Sequence, residues 1–339
     1  MVMVLPGFAN SITLEGTLEG GEPAINFIAL SAANPSQDLW FSQDGLNWTA
    51  APFLTVLGGF TAYSVSFAGN YWFVGGSNGE LVVATKDWNT YQPLTNPLTG
   101  PIRGVIAGAG NYLVYTNTQN YAYTADFVNW TSASTPLTGG TLFMSYANSV
   151  WVAGGMGSST AQFVTSSNLS SWTNCSTELD FPYFYGVAAY AYCSGFTSSN
   201  RSLVLGWSSD QTKNYSKSTT PASTHSAGAI PIPGGSDVYP LIGAAYSPTA
   251  NVLLVHSTVD TVLQINSSLT ATFARTPDEE ATPVGLVYSP LLNRFVYATA
   301  NLIGISSDGS TWTDSATYAG AIGETSRTNL TTAIAARTS

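Results

Sequence analysis

A seven-residue frame, Ser-x-Asp-Gly-x-x-Trp, occurs near both ends of this chain, as Ser42–Trp48 and as Ser306–Trp312. The frame predicts a tight turn between two β-strands, because Ser and Asp side chains can bond backbone N–H groups of such a turn. Gly45 and Gly309 suit the positive φ that the turn needs. The Trp follows in the outgoing strand, where it can bury a large apolar area. No group in the frame is chemically reactive, so the frame indicates a fold rather than a reaction.

The same frame recurs along the whole chain when it is placed on its closing aromatic residue. The closing residues are Trp48, Tyr91, Trp130, Trp172, Tyr215, Phe273 and Trp312. The first position always holds a hydroxyl residue, and the third holds Asp44, Asp87, Asp126, Asn168, Gln211, Leu269 and Asp308. Successive frames lie about 40 residues apart, a period typical of propellers and other repeat folds. The one long interval contains a Ser/Thr/Pro/Gly segment, Lys217 to Ser236, which we predict to be an insertion: a surface loop or the fifth unit's outer edge.

A second repeated pattern precedes each frame and predicts a β-hairpin. In the second unit, apolar runs at 62–67 and 71–75 flank the turn Ala68-Gly69-Asn70, and a third strand is expected at 81–85 and a fourth at 91–94. Both alternating faces of these strands are apolar, as in Tyr71-Trp72-Phe73-Val74, so each sheet must be covered on both sides. The sequence therefore predicts an all-β, seven-bladed β-propeller built from four-stranded antiparallel blades.

The chain ends leave two ways to complete the first blade. Its first strand is either Ser11–Leu14 or the C-terminal Leu330–Ala336, which resembles other first strands. We expect an N-terminal arm over residues 1–10, the propeller over 11–317, and a C-terminal tail over 318–339 that supplies the closing strand in the second alternative.

The repeated frame resembles the Asp-box, or bacterial neuraminidase repeat, of β-propeller proteins, which bacterial and phage surface proteins contain. The resemblance covers nearly all of the chain. It implies that Asp44, Asp87, Asp126 and Asp308, with Trp48, Trp130, Trp172 and Trp312, are structural and lie away from any catalytic face. Asn, Gln and Leu replace the acid in the other frames. A turn tolerates these replacements, whereas a catalytic acid could not be replaced in this way.

The resemblance also raises sialidase chemistry, which the residues present do not favour. Those enzymes clamp a carboxylate with an arginine triad. Here only Arg103 directly precedes a predicted first strand, in Pro101-Ile102-Arg103-Gly104. The Gly-x-Ser-x-Gly match at 75–79 falls in a hairpin rather than the strand-to-helix elbow of hydrolases. His225 and His256 show no zinc spacing. We predict no catalytic residues, no metal and no cofactor.

Function must then lie in the joints between units, the insertion or the tails. Aromatic joints stack on sugars, anchor protein interfaces or fill gaps between blades. The candidate contact residues for a ligand or partner are Phe181, Tyr183, Tyr185, Arg103 and Tyr239.

Composition narrows the class of protein. Charged residues make up only 8% of the chain, and the net charge is −10 without any basic run, which argues against nucleic acid. No apolar run reaches the length of a membrane span, and the short apolar start lacks the basic residues of a secretory signal. Cys175 and Cys193 either pair or remain two free buried thiols.

These observations predict a non-enzymatic structural or adhesive propeller of a virion, and more narrowly a bacteriophage tail, fibre or capsid-surface component. Its partners would be other virion structural proteins and, for attachment, a host-surface glycan. The alternative is a secreted or cell-surface propeller that binds carbohydrate, and after it a sialidase-like glycoside hydrolase.

Overall fold

Seven antiparallel β-sheets make up the described part of the chain, in a computed structural model. It describes residues 12–13, 25–30, 39–51, 61–88, 90–156, 161–175, 184–197, 199, 201–208, 214–223, 225–231, 233, 241–257, 261–275, 283–299, 302–315 and 334–337. The prediction of a seven-bladed β-propeller with four-stranded blades is confirmed, and the described residues contain no α-helix.

The strands follow one another from the inside of each blade to its outside. Blade 1 contains β2 (Phe27–Leu30), β3 (Leu39–Ser42) and β4 (Trp48–Ala51), and blade 2 contains β5 (Ala62–Ala68), β6 (Tyr71–Gly76), β7 (Leu81–Thr85) and β8 (Thr90–Pro93). Blade 3 contains β9 (Ile102–Gly108), β10 (Asn111–Thr116), β11 (Asn120–Thr124) and β12 (Thr131–Ser134), and blade 4 contains β13 (Thr141–Ala147), β14 (Val150–Met156), β15 (Ala161–Ser166) and β16 (Thr173–Asn174). Blade 5 contains β17 (Phe184–Tyr192), β18 (Ser202–Ser208), β19 (Tyr215–Ser218) and β20 (Ser226–Gly228). Blade 6 contains β21 (Leu241–Ser247), β22 (Val252–Ser257), β23 (Val262–Ile265) and β24 (Ala271–Arg275), and blade 7 contains β25 (Pro283–Ser289), β26 (Arg294–Thr299), β27 (Ile303–Ser306) and β28 (Thr313–Asp314).

The two ends of the chain take different places in the ring. The C-terminal strand β29 (Ile334–Ala336) is the innermost strand of blade 1, where Ile28 pairs with Ala335. The N-terminal strand β1 (Ile12–Thr13) instead pairs with β8, so that Ile12 lies opposite Tyr91 on the outer edge of blade 2. Of the two closing strands considered from the sequence, the structure therefore uses the C-terminal one. The expected arm at 1–10 lies outside the described residues.

The apolar core lies between blades rather than within them. Trp72 and Val74 of β6 pack with Ile28 and Leu39 of blade 1, while Phe73 packs with Val105 and other residues of blade 3. Each of these side chains is buried, which stabilises the fold by about 2 kcal/mol per large side chain relative to exposure. The innermost strands contact one another in sequence around the ring, from β29 through β5 and β9 to β25 and back to β29.

Polar contacts complete the junction at which the ring closes. The guanidinium of Arg294 in blade 7 donates to the backbone carbonyl of Asp44 in blade 1 over 2.8 Å. The Ser315 hydroxyl donates to the carbonyl of Leu46 over 2.5 Å. The turn of blade 1 is therefore held by the blade that precedes it in the ring.

The structure corrects the frames that were placed on blades 5 and 6. Tyr215 opens β19, a third strand, so the frame ending there does not mark a turn between third and fourth strands. That turn lies instead at residues 219–225, inside the predicted insertion, whose β20 forms the blade's outer edge. In blade 6 Ile265 lies opposite Ala271, so the fourth strand begins two residues before the assigned closing residue Phe273, which is 43% exposed.

Both cysteines are buried and carry reduced thiols. Cys175 follows the outermost strand of blade 4, and Cys193 follows the innermost strand of blade 5. Since these two strands end at opposite faces of the ring, the thiols cannot form a disulfide.

Candidate functional site

A β-bulge interrupts the start of the inner strand in six of the seven blades. In β9 Tyr115 pairs with Gly104 and Thr116 pairs with Ile102, so Arg103 is left without a partner in the ladder. The same shift leaves out Tyr63, Leu142, Tyr185, Ile242 and Val284 in β5, β13, β17, β21 and β25. We call these six residues the bulge ring. Bulges re-aim side chains and are common beside functional sites, so the bulge ring is the candidate site.

The direction of the strands places the bulge ring on one face of the propeller. The connection from one blade to the next leads directly into each inner strand, so the start of that strand and its bulge lie on the connection face. Because the strands of a blade are antiparallel, the turn after the third strand lies on the opposite face, which we call the turn face. Inner strands surround the axis of a propeller, so the bulge ring lies at one mouth of the central channel.

Arg103 is the charged member of the bulge ring and is half-buried. Its guanidinium carbon lies 5.5 Å from the centre of the Tyr63 ring, in cation–π geometry between blades 3 and 2. Its Nε atom is buried and has no hydrogen-bond partner. Tyr115 lies nearby in β10 and bonds the backbone of Met144 in blade 4; burial raises the pKa of Tyr115, against smaller lowering effects of that bond and of Arg103. The Arg103 head group therefore packs on the Tyr63 ring, while the Tyr115 ring crosses the neighbouring Gly104.

Two of the residues singled out from the sequence share this position. Arg103 and Tyr185 occupy equivalent bulges in blades 3 and 5. Phe181, Tyr183 and Tyr239 lie outside the described residues. The structure thus brings Arg103 and Tyr185 into one ring around the channel, where the sequence had shown only two separate joints.

The sequence reading missed Tyr63, Leu142, Ile242 and Val284, although a signal for the bulge position is present. A glycine directly follows the bulge residue in four blades: Gly104, Gly186, Gly243 and Gly285. A Cβ on Gly104 would lie 3.1 Å from the Tyr115 ring, and one on Gly285 would lie 2.9 Å from Ile334. The residue after the bulge must therefore be small where another side chain crosses it.

The turn face is built from the predicted Ser-x-Asp turns. In blade 1 Asp44 Oδ1 accepts hydrogen bonds from the backbone N–H groups of Leu46 and Asn47, and each bond is 2.8 Å long. Asp126 and Asp308 repeat this arrangement, and Asn168 makes the same two bonds over 3.0 Å with its amide oxygen. In blade 2 the turn is one residue shorter, and the Thr85 hydroxyl bonds both the N–H group and the carbonyl of Thr90.

These bonds stabilise the ionised form of each acid. Backbone donation from Asn129 lowers the pKa of Asp126, and donation from Thr311 lowers the pKa of Asp308. For Asp44 burial opposes the change, but bonds from Asn47 and Leu46 still lower the pKa. An acid that already binds the N–H groups of its own turn is a poor proton donor, so these residues act as structural turn ligands.

The closing tryptophans pack at the same turns. Trp48 is buried and donates to the Gly45 carbonyl over 2.8 Å, and Trp172 donates to the Tyr121 hydroxyl of blade 3 over 2.9 Å. Trp130 and Trp312 are half-buried. In blade 5 His225 takes this place: Lys217 pairs with Ser226, which leaves His225 opposite Ser218 as Trp48 lies opposite Ser42.

Neither histidine is placed for metal binding. His225 is buried beside Phe163 of blade 4, and its Nε2 lies 3.2 Å from the Ser218 hydroxyl. His256 is buried beside Tyr297. Burial lowers the pKa of each to about 4. In the part of the chain that the structure describes, no cluster of three or more His, Cys, Asp or Glu residues could hold a metal ion. No helix formed by described residues has the length and hydropathy to cross a membrane.

Comparison with known proteins supports the fold and leaves the function open. No protein-family model matches the sequence, and no curated protein sequence matches it. Among solved structures, YCF48 bound to D1 peptide is 15% identical, with a TM-score of 0.55, over 77% of this chain and 83% of that one. YCF48 from Cyanidioschyzon merolae is 14% identical, with a TM-score of 0.55, over 82% and 94% of the two chains. A streptogramin B lyase is 10% identical, with a TM-score of 0.52, over 90% and 85%. At these identities the likeness establishes a β-propeller and nothing finer.

Proposed function

We propose that this chain is a non-enzymatic propeller that docks a protein partner on its connection face. The bulge ring carries the proposal. It gathers aromatic, aliphatic and arginine residues at one mouth of the channel, and aromatic residues and arginine are enriched in the energetic centres of protein interfaces. One propeller of similar fold, YCF48, has been solved with a peptide bound, which supports a protein segment as the class of partner.

We also propose a finer identity for the repeats and a setting for the protein. The hydrogen bonds of Asp44, Asp126 and Asp308 support membership of the Asp-box repeats. The low content of charged residues, 8%, with polarity carried by Ser, Thr and Asn, supports a structural or adhesive component of a bacteriophage virion. In that setting the docked partner is another virion protein.

Site-specific photo-crosslinking tests the docking face. A benzoylphenylalanine is placed at Ile242 in the bulge ring, and in a matched variant at Val128, which is 60% exposed on the turn face. After irradiation of the native assembly, mass spectrometry should find one partner protein crosslinked at Ile242 and little at Val128. Equal crosslinking at both positions, or crosslinking at Val128 alone, contradicts docking on the connection face.

Particle composition tests the setting separately. If the protein is a virion component, gradient-purified particles contain it in a fixed ratio to the other structural proteins, and it stays bound through a high-salt wash. Recovery only in the unbound fraction contradicts the virion setting but leaves the crosslinking result standing.

A further inference from the structure

We propose that Arg103 and Tyr63 form a carboxylate-binding subsite within the bulge ring, which takes an acidic group of an extended peptide. This inference rests on the proposed docking function and names the chemistry of its ligand. Its first support is that no described carboxylate pairs with Arg103. Among the described residues, no side chain or carbonyl forms a hydrogen bond or ion pair with the Arg103 guanidinium, and its buried Nε is unpartnered.

Other arginines of the same protein show the contrast. Arg275 pairs with Asp314 over 2.6 Å, Arg294 donates to the Asp44 carbonyl over 2.8 Å, and Arg201 donates to the Phe196 carbonyl over 3.3 Å. A half-buried guanidinium without an acceptor is costly, because its lost water is not replaced. Arg103 is the described arginine for which an external acceptor would remove that cost most directly.

The geometry around Arg103 leaves its tip as the binding end. Tyr63 covers the guanidinium at 5.5 Å, and Tyr115 lies beside it, anchored by its bond to the backbone of Met144. Nε is enclosed, while the two Nη atoms are neither buried nor bonded to any described residue. Two parallel N–H donors match the two oxygens of a carboxylate, which is the geometry of bidentate arginine recognition.

The surroundings favour a peptide over a sugar acid. The bulge position of blade 6 holds Ile242, whose half-buried hydrocarbon side chain suits an apolar side chain of a peptide better than the hydroxyl-rich ring of a sugar. The carboxylate can belong to the end of a chain or to an internal acidic residue, and both have the same chemistry at Arg103.

Three pools of random nonapeptides, immobilised through their N-termini, test the inference with the full-length protein. The first pool has free C-terminal carboxylates and no acidic residue, the second has C-terminal amides and one internal glutamate, and the third has C-terminal amides and no acid. The wild type should bind the first or the second pool at least tenfold more strongly than the third. Arg103→Met should lose that preference, while Arg103→Lys should retain part of it, because lysine keeps the charge without the fork.

Arg201→Met is the matched control, since it removes an arginine from the β17–β18 hairpin on the turn face and should bind like the wild type. If Arg103→Met melts early, Tyr63→Leu replaces it and should weaken acid-dependent binding. If the wild type binds all three pools equally and Ile242→Ala abolishes that binding, the carboxylate subsite is overturned. The proposed docking at the bulge ring is then preserved. Binding of sialylated or uronate glycans alone, or of no probe at all, overturns both.

Discussion

The ring of Phe127 in blade 3 meets the ring of Tyr71 in blade 2 edge to face, with centroids 5.8 Å apart and planes at 89°. Phe127 lies in the fourth position of its turn at φ 61°, a region that L-residues rarely adopt. Trp88 at φ 58° and Leu169 at φ 64° hold the same position, where Trp88 packs on Phe41 of blade 1 and Leu169 packs with Tyr121 of blade 3. The turn therefore inserts an apolar side chain into the preceding blade, and this burial offsets the strain of the backbone.

Replacing Phe127 should separate these two effects. Phe127→Ala should lower the free energy of unfolding by about 3 kcal/mol, since it leaves a cavity between blades and keeps the backbone strain. Phe127→Gly should be at least as stable as the alanine variant despite its smaller side chain, because glycine adopts positive φ freely. Urea denaturation measures both, with Val128→Ala as the exposed control at no more than about 0.5 kcal/mol. If the free energy of unfolding of the glycine variant is clearly lower than that of the alanine variant, the backbone at residue 127 is not strained.

The architecture could be predicted from the sequence because its signal is repeated. Ser42–Trp48 and Ser306–Trp312 mark turns whose hydrogen bonds are local, and local chemistry is readable in a few residues. Trp72 packs toward blade 1 and Phe73 toward blade 3, and this alternation also follows from strand geometry alone. The candidate site was only partly predictable. A bulge is defined by the register between two strands, so Arg103 and Tyr185 could be named but not placed together.

The frames were misplaced in blades 5 and 6, where the turn sequence differs from the repeat. In blade 5 His225 replaces the closing aromatic residue and the turn is longer, so the frame was placed on Tyr215 instead. In blade 6 Asn266 accepts hydrogen bonds from the backbone N–H groups of Ser268 and Thr270, each 3.0 Å long. Asn266 lies one residue before Ser267, where the assigned frame begins. A different side chain can satisfy the same backbone groups, so the residue pattern drifted while the turn remained.

Asp308 should contribute more to stability when it is ionised than when it is protonated. Its Oδ1 accepts the N–H groups of Ser310 and Thr311, both over 2.8 Å, and these bonds lower the pKa of Asp308. At pH 7 Asp308→Ala should lose about 1 kcal/mol, and Asp308→Asn should lose less, as Asn168 already performs this role in blade 4.

The pH dependence of that loss has a definite sign. A lowered folded-state pKa means that the stabilisation is present above the unfolded value, near 4, and disappears as pH falls below it. The difference between wild type and Asp308→Ala in urea titrations should therefore shrink between pH 5 and pH 2.5. A constant difference over this range would show that the charge of Asp308 does not matter.

The closing strand should be essential for the ring. Ile334 in β29 is buried at the junction of blades 1 and 7, and the β29 backbone pairs with β2. Ending the chain at residue 333 removes the inner strand of blade 1 and exposes Phe27 and Ile28 to water. Limited proteolysis should then cut the truncated protein far faster than the full chain. Removal of residues 338 and 339 alone retains β29 and serves as the control; similar protease resistance of both truncations would argue against closure by β29.

His256 should make the fold sensitive to mild acid. The ring is buried against Tyr297, its Nδ1 has no hydrogen-bond partner, and burial lowers its pKa to about 4. The unfolded chain binds a proton near pH 6.5, so stability is fully present above that pH and falls as pH drops toward 4. The loss is on the order of 3 kcal/mol for a shift of this size.

His225 has a similarly lowered pKa of about 4, so the two sites should act together. The melting temperature of the wild type should therefore fall steeply between pH 6.5 and pH 4. His256→Gln cannot take up the proton, and it should flatten this part of the profile by about half even if it melts earlier at pH 7. The Asp308→Ala variant should keep the wild-type slope between pH 6.5 and pH 5, because the contribution of Asp308 to stability changes only below that interval. An unchanged slope in His256→Gln would mean that His256 is reached by water in the folded protein and does not report on the packing between blades 6 and 7.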